Sequence, residues 1–384
     1  MSENITNRGA AIGSPLSSGV TSGRLPGLES LRGISALLLV VFHIRYIPTL
    51  EAPAFLESII VRFGSGVPLF YAISAFSLMH GYEKCLDEKG GLAKFFKRRF
   101  FRISPLFYFM LFIWLLINKL YFHANIDFRS VFLSVTYSFG MFPGQHEGIV
   151  WGSWSVGTEW IFYAIFPLLL TIASTWKSAV ALFIISLVIS VNTPSLLTGI
   201  QTAAPSFSYM CFPNHLVFFS SGILAYRIVY PGNGPGAEWV NNSKAWIPWA
   251  IATGSLVWLI IGWKEPGSIY LAQRNLGLQW LAGAWCLLLV GTSTGLPWVL
   301  DNNFFRKAGQ LSFGLYLTNP PIIFAMSEVG FFRSIYAAFP DKWMAFTLCC
   351  AVCIVLVWIT AYLTFRFIEK PGIKLGERFI NPVN

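Results

Sequence analysis

The stretch LPGLESLRGISALLLVVFH, residues 25–43, decides the fold class of this chain. It is the first long apolar run, and it carries Arg32 near its start and His43 at its end. In an α-helix, eleven residues make almost three full turns, so both side chains lie on nearly one face, roughly 16 Å apart along the axis. The ordinary explanation would be an anchoring arginine and a core histidine. Because ionisable groups are costly in hydrocarbon, we interpret the pair as functional.

The composition predicts an all-α polytopic membrane protein. Of the 384 residues, 55% are hydrophobic and only 11% are charged, whereas about a quarter of a soluble domain is charged. Many apolar runs are long enough to cross a bilayer as helices. The net charge of +10 indicates basic cytoplasmic loops rather than a nucleic-acid partner. The six cysteines lie mostly in apolar runs, so neither a disulfide framework nor a metal site is expected.

Ten apolar runs are predicted to span the membrane as one bundle. They cover residues 31–50, 59–80, 100–120, 154–173, 178–193, 209–229, 246–263, 276–292, 311–328 and 343–365. An eleventh segment, 128–143, is ambiguous, but a span there would move the basic C-terminal residues to the outer side. Since Lys and Arg favour cytoplasmic loops, we expect ten spans with both termini cytoplasmic.

The remaining segments complete the predicted domain organisation. Residues 1–24 are rich in Ser, Gly, Thr and Asn and are predicted to form a disordered cytoplasmic tail. Residues 25–371 are expected to form the transmembrane domain, and residues 372–384 a short cytoplasmic tail. The segment 118–153 is expected to lie outside, with part of it dipping back into the bundle.

A basic pair stands at the predicted cytoplasmic rim, in KRRFFRISP at residues 97–105. Arg99 and Arg102 are three residues apart at the start of a helix, so they share a face. A cytoplasmic loop explains Lys97 and Arg98 fully, but Arg102 already lies within the apolar run. Two forked guanidinium groups at the membrane rim suit phosphate or pyrophosphate binding.

A carboxylate and several aromatic rings occur together in WGSWSVGTEWIFY, residues 151–163. Glu159 follows Ser155 by four residues, so the two share a helix face. Carboxylates inside membranes usually have a function, because burying their charge is costly. Trp154 and Tyr163 belong either to an interfacial aromatic belt or to a sugar site, because aromatic faces pack against the apolar faces of pyranose rings.

Two further motifs carry polar groups at predicted spans. The stretch CFPNH, residues 211–215, presents His215 in a turn that capping chemistry alone could explain. The stretch LSFGLYLTNPP, residues 311–321, carries Tyr316 and Asn319. Its two prolines are predicted to break the helix within the membrane, which proteins tolerate where the break lines a cavity.

Taken in order, these motifs resemble the acyltransferase-3 family of integral membrane O-acyltransferases. The resemblance is carried by LESLRG with the following FH, GVPLFYAISAFSLM, RRFFRISPLFYF, WSVGTEWIFYAIFPLLL, LSFGLYLTNPP and RFIEKP, and it runs from Leu25 to Pro371. Pro68 and Ala75 stand where the family often has Asp and Gly. Asn319 stands where it often has His, which removes a titratable group.

The resemblance implies transfer of an acyl group, usually acetyl, from cytoplasmic acyl-CoA to a hydroxyl of a glycan or lipid-linked saccharide. It implies a bacterial inner-membrane protein that modifies polysaccharide or lipopolysaccharide. We expect His43 to be the base and Glu159 either to orient the imidazole or to bind the acceptor. The residues expected to hold the phosphates are Arg32, Arg99 and Arg102. The candidate acceptor residues are Trp154, Ser155, Tyr163, His215, Tyr316 and Asn319.

Two other classes of protein fit the same sequence. Ten helices with one histidine and one carboxylate also suit a proton-coupled transporter or flippase, which should show two matched broken helices. A non-catalytic scaffold is the third class, because His is absent at position 319. Some members of the family finish the transfer with an extracytoplasmic domain. None is recognised here, so we expect the chain to work alone or with a separate transfer partner.

Overall fold

A computed structural model describes residues 26–197, 205–230, 246–262, 277–293 and 296–380. Within these ranges the regular elements are all helices. The tail predicted at residues 1–24 lies outside the described residues.

The described ranges form sixteen α-helices. In chain order they are α1 (Pro26–Tyr46), α2 (Ala54–Phe63), α3 (Gly66–Tyr82), α4 (Gly91–Leu120), α5 (Phe128–Val135), α6 (Trp154–Ile172), α7 (Trp176–Leu197), α8 (Pro205–Met210), α9 (Phe212–Val229), α10 (Trp246–Gly262), α11 (Gly277–Thr292), α12 (Asn303–Gln310), α13 (Ser312–Glu328), α14 (Phe331–Ala338), α15 (Lys342–Thr364) and α16 (Lys370–Ile380). A 3₁₀ turn lies at Phe139–Met141 and a π-helical turn at Phe365–Glu369.

Six helical segments of the described chain are long and apolar enough to cross a membrane, as in a multi-pass membrane protein. They are Gly27–Tyr46, Ala54–Tyr82, Gly91–Leu120, Trp154–Ile172, Trp176–Leu197 and Lys342–Ile380. All ten predicted spans coincide with helices where they are described, although Gly64 and Ser65 divide the predicted span 59–80 into α2 and α3, and Cys211 separates α8 from α9 within the predicted span 209–229. The count of ten spans and the cytoplasmic position of both termini stay predictions.

The ambiguous segment 128–143 holds only α5 and the 3₁₀ turn. Eight helical residues rise about 12 Å, whereas the hydrocarbon core is about 30 Å thick. This segment is therefore too short to cross the membrane as a helix.

Close backbone packing fixes the position of α1 against α12. A Cβ atom at Gly33 would lie 2.2 Å from the carbonyl oxygen of Phe305, and one at Gly309 would lie 1.9 Å from the carbonyl oxygen of Glu29. Only glycine permits such an approach. The helix that carries Arg32 is thereby held in one register against its neighbour.

Helix α13 runs without interruption through its two prolines, so the predicted helix break is wrong. A proline at position 320 cannot donate to the carbonyl of Tyr316, four residues earlier. The Asn319 Nδ2 atom donates to that carbonyl oxygen at 2.8 Å, and to the carbonyl oxygen of Leu315 at 2.8 Å. The side-chain amide replaces the missing backbone donor, and the helix continues.

The last helix braces the start of α4. Residues predicted as a C-terminal tail include α16, in which Gly372 lies against Pro105 and Gly376 against Phe101. The ring of Phe379 also stacks on Phe101, with ring centroids 5.6 Å apart. These contacts support the part of α4 that carries Arg99 and Arg102.

Candidate active site

His43 faces a cavity of about 360 Å³ at the end of α1. The aromatic side chains that line this cavity with it are Phe42, Trp151, Trp154, Tyr209 and Tyr316. Both the volume and the apolar lining are typical of a site for a small organic ligand. We call this space the histidine cavity.

The hydrogen bonds of Asn319 fix the tautomer of His43. Both hydrogens of the Asn319 amide are directed at the carbonyl oxygens of Leu315 and Tyr316, so its Oδ1 atom is left as an acceptor. This Oδ1 lies 2.6 Å from Nδ1 of His43. The Nδ1 atom must therefore carry the proton, and Nε2 of the neutral ring keeps its lone pair as the basic nitrogen.

A second cavity of about 80 Å³ adjoins the first, and Val67 and Tyr316 line both. Arg32, Arg102 and Glu159 line this second space, which we call the arginine cavity. Because Arg32 and His43 lie roughly 16 Å apart on α1, the two cavities follow one another along that helix. The structure thus brings two of the three predicted cations, Arg32 and Arg102, and the predicted base to neighbouring spaces, whereas Arg99 does not line the second cavity.

Two of the predicted phosphate-binding arginines have unused hydrogen-bonding capacity. The Nε atoms of Arg32 and Arg99 are buried and have no hydrogen-bond partner among the described residues. The guanidinium carbon of Arg99 lies 5.6 Å from the ring centroid of Tyr82 and 5.9 Å from that of Tyr163. A buried donor without a partner is costly, so these side chains are suited to an anionic ligand.

Glu159 belongs to the arginine cavity, whereas the hydrogen-bond partner of His43 is Asn319. One oxygen of Glu159 accepts hydrogen bonds from Ser74 Oγ at 2.7 Å and from Tyr163 OH at 2.5 Å. Of the two roles that the sequence left open for Glu159, direct contact with the imidazole has no support in this geometry.

The remaining acceptor candidates occupy different positions. Trp154 lines the histidine cavity, and Tyr163 lines the arginine cavity. Ser155 Oγ donates to Tyr316 OH at 2.9 Å, and Tyr316 OH donates to the carbonyl oxygen of Gly152 at 2.7 Å. These bonds lie where the two cavities adjoin.

His215 lines neither cavity. It is fully buried in the first turn of α9, where Pro213 occupies an early helical position. Its ring packs against Trp154, Tyr71 and Tyr209, each with a ring centroid 5.2 Å away. The motif that the sequence suggested as a turn is helical, and its histidine supports Trp154 from behind.

Sequence reasoning missed Glu369, a buried carboxylate beside α13. It is 4% exposed, and its Oε1 has no hydrogen-bond partner among the described residues. This atom would lie 3.2 Å from a Cβ atom placed on Gly314. Glu369 ends the π-helical turn, an element often found at functional sites. The match of RFIEKP to the closing family motif was the available signal.

Comparison with known proteins identifies the class. The family model described as an acyltransferase domain, that of acyltransferase 3, matches residues 25–362. The chain therefore belongs to the acyltransferase-3 family.

Two curated relatives are similar to the chain. The peptidoglycan O-acetyltransferase OatA of Listeria monocytogenes is 24% identical over 388 residues, which cover 93% of this chain and 57% of OatA. ORF330 of Acidianus two-tailed virus, provisionally named an acetyltransferase, is 25% identical over 226 residues, or 58% of this chain and 60% of ORF330. The chain spans about three fifths of the length of each relative. No solved structure matches it.

Proposed function

We propose that the chain is a membrane O-acyltransferase that moves an acyl group, normally acetyl, from acyl-CoA to a hydroxyl of a glycan or lipid-linked saccharide. One observation carries the proposal: the cavity that His43 faces adjoins the cavity that Arg32 and Arg102 line. Family membership supports acyl transfer. The name of the Listeria relative, which specifies peptidoglycan, supports a glycan acceptor.

The donor binds with its phosphates at the arginine cavity. Arg32, Arg99 and Arg102 neutralise these phosphates, and the pantetheine arm passes between Val67 and Tyr316. The roughly 16 Å from Arg32 to His43 is comparable with the length of that arm. If both termini are cytoplasmic, the arginines face the compartment that holds acyl-CoA.

His43 is the general base. Its Nε2 atom takes the proton from the acceptor hydroxyl while the hydroxyl oxygen attacks the thioester carbonyl carbon. The new C–O bond forms, the C–S bond breaks, and the departing thiolate takes the proton from the imidazolium to leave as free CoA. Asn319 is a positioning residue, because it holds the tautomer in which Nε2 is basic.

The proposed setting is a bacterial inner membrane, where the modified glycan is a surface polysaccharide or lipopolysaccharide. A separate extracytoplasmic partner would pass the acyl group onward if the chain does not finish the transfer itself. The transporter alternative has less support, because α13 continues through the prolines that were its best candidate for a broken helix.

The test uses the full chain in lipid nanodiscs with labelled acetyl-CoA and a panel of oligosaccharides. We expect release of free CoA with label on the saccharide, and a loss of at least 100-fold in His43→Gln, since general bases contribute about 10²- to 10⁴-fold. His80→Gln is the matched control, because His80 lines neither cavity. Equal transfer by His43→Gln and the unaltered chain would overturn the base assignment. Proton flux that does not require acetyl-CoA would favour the transporter.

A further inference from the structure

A third cavity, of about 670 Å³, opens beside the histidine cavity. It is formed at the end of α4 by the segment that connects this helix to α6. Glu147, Gly148 and Trp151 line both spaces, so the two adjoin. Asn118 also lines the third cavity. It follows Arg102 by sixteen residues on α4, or about 24 Å along the helix, so the third cavity lies at the end opposite the arginines.

Neutral polar and acidic side chains dominate its lining. The polar groups outside the shared wall are Asn118, Asn125, Asp127, Ser130, Gln145, His146 and Ser206. No Lys or Arg is among the described residues that line it. Such a surface disfavours an anion, and it offers the mixture of donors and acceptors that a sugar with adjacent hydroxyls requires.

The walls are held together by their own hydrogen bonds. Asp127 accepts from the backbone nitrogen of Ser130 at 3.1 Å, which caps α5, and Ser130 Oγ donates to Gln145 Oε1 at 2.7 Å. His146 Nε2 and Ser206 Oγ are 3.0 Å apart. The cavity therefore needs little ordering when a ligand binds, which favours affinity.

One polar atom in this wall is buried and unused. His146 is 3% exposed, and its Nδ1 has no hydrogen-bond partner among the described residues. Burial lowers the pKa of this ring below its usual value, so the ring is neutral at pH 7. A neutral imidazole adds no charge to this wall, which suits an uncharged ligand.

An aromatic face stands at the boundary of the two cavities. Trp151 is 38% exposed and stacks on the fully buried ring of Trp114, with centroids 4.6 Å apart and an interplanar angle of 29°. The buried ring holds the exposed one in place. A supported indole beside polar side chains suits the apolar face of a pyranose ring.

We propose that the third cavity is a second saccharide subsite, which binds the uncharged sugar next to the one that is acylated at His43. The inference rests on the proposed function and deepens it. The acceptor is then an uncharged oligosaccharide or the end of a glycan chain, rather than a monosaccharide or an anionic small molecule.

The test measures binding and transfer separately. The full chain in nanodiscs is titrated with β-1,4-linked N-acetylglucosamine oligomers and maltooligosaccharides of one to four units, and binding is followed by saturation-transfer NMR. Transfer from acetyl-CoA to the same ladders is measured in parallel. We expect at least tenfold tighter binding of the tetramer than of the monomer in at least one ladder.

Two variants and one matched control test whether the tighter binding of the tetramer depends on the third cavity. Asn118→Ala and His146→Gln should reduce binding of the tetramer about tenfold and leave binding of the monomer unchanged. Asn118 donates to the carbonyl oxygen four residues earlier at 2.8 Å, and Asn192 on α7 does the same at 2.8 Å without lining the cavity. Asn192→Ala should therefore change neither quantity.

The outcomes separate the two proposals. If the tetramer binds better but no acetyl is transferred, the proposed function falls and the subsite stands. If acetyl is transferred but the length of the oligosaccharide does not change its binding, the subsite proposal is overturned. The same holds if both variants still bind the tetramer more tightly than the monomer. Binding of only anionic saccharides, tested with uronic-acid oligomers, would also overturn it.

Discussion

The Oδ1 atom of Asn319 lies 2.6 Å from Nδ1 of His43, on a helix that the same amide keeps intact past Pro320. One side chain therefore both supplies the hydrogen-bond donor that Pro320 lacks in α13 and orients the imidazole. A histidine at this position would have no single nitrogen that carries two hydrogens. An amide can satisfy both carbonyls and still present an acceptor.

We expect Asn319→Leu to lower kcat for acetyl transfer about 100-fold, because the Nδ1 proton loses its acceptor and the basic tautomer is no longer favoured. KM for acetyl-CoA should stay within about twofold. Thr318→Val is the control, because it removes a bond to the carbonyl oxygen of Gly314 in the same helix without touching His43. Equal losses in the two variants would mean that Asn319 serves only the helix.

Removing a guanidinium group from the arginine cavity should weaken the binding of acetyl-CoA only through the lost contact with its phosphates. We expect Arg102→Gln to raise KM for acetyl-CoA about 30-fold, since a hydrogen bond to a charged group contributes about 1.5–3 kcal/mol. S-acetylpantetheine, which lacks the phosphates, should show no change. Arg99→Ala should behave in the same direction.

Arg98→Gln is the control for this series, because Arg98 neither lines the cavity nor is among the side chains with a buried Nε atom that has no partner in the described part of the chain. A variant that loses acetyl-CoA and S-acetylpantetheine equally would contradict a phosphate role. An effect confined to the saccharide acceptor would contradict it as well.

The contact between α1 and α12 predicts a strong response to one methyl group. Gly33→Ala should lower the free energy of unfolding by about 1–3 kcal/mol or prevent folding, because the added atom would overlap the carbonyl oxygen of Phe305. Gly254→Ala, where nothing lies within 4 Å of the new Cβ, should raise it by about 0.5–1 kcal/mol. Thermal unfolding in detergent measures both, and similar effects at the two positions would refute the packing argument.

An ion pair outside the membrane predicts a pH dependence. Asp301 accepts a bidentate pair of bonds from Arg306, each 2.8 Å, and a bond from Ser30 at 2.6 Å. These bonds lower the pKa of Asp301 below its usual value near 3.8, and the bond from Arg306 has the largest effect. The unfolded carboxylate binds protons at higher pH than the folded one, so stability falls as the pH falls.

Asp301→Asn should cost about 1 kcal/mol at pH 7, and the difference from the unaltered chain should shrink as the pH falls below about 4. The exposed Asp87 lies outside this network, so Asp87→Asn should leave stability unchanged. Thermal unfolding across a pH series provides the measurement. A constant difference down to pH 2 would disprove the linkage.

Periodicity and motif spacing predicted the helical class, the positions of the long helices and the grouping of Arg32 with Arg102, because these depend on local patterns. The partner of His43 could not be predicted in the same way. Asn319 lies 276 residues away in sequence, and only the packing of α13 against α1 brings them together. The proline pair misled the prediction, because local rules for helix breaking do not include a side chain that replaces the lost donor. Glu369 was overlooked because a charged residue just after the last apolar run is normally assigned to a cytoplasmic loop, and the sequence does not show that this side chain is buried.

Tyr316, which accepts a hydrogen bond from Ser155 and donates one to Gly152, has a consequence for the bilayer itself. The histidine cavity and the arginine cavity approach each other along α1, and the ring of Tyr316 lies where they meet. A cell that maintains a proton-motive force cannot tolerate a continuous water column through such a protein. Tyr316 lies where such a column would form, so we expect this ring to keep the electrical seal of the membrane.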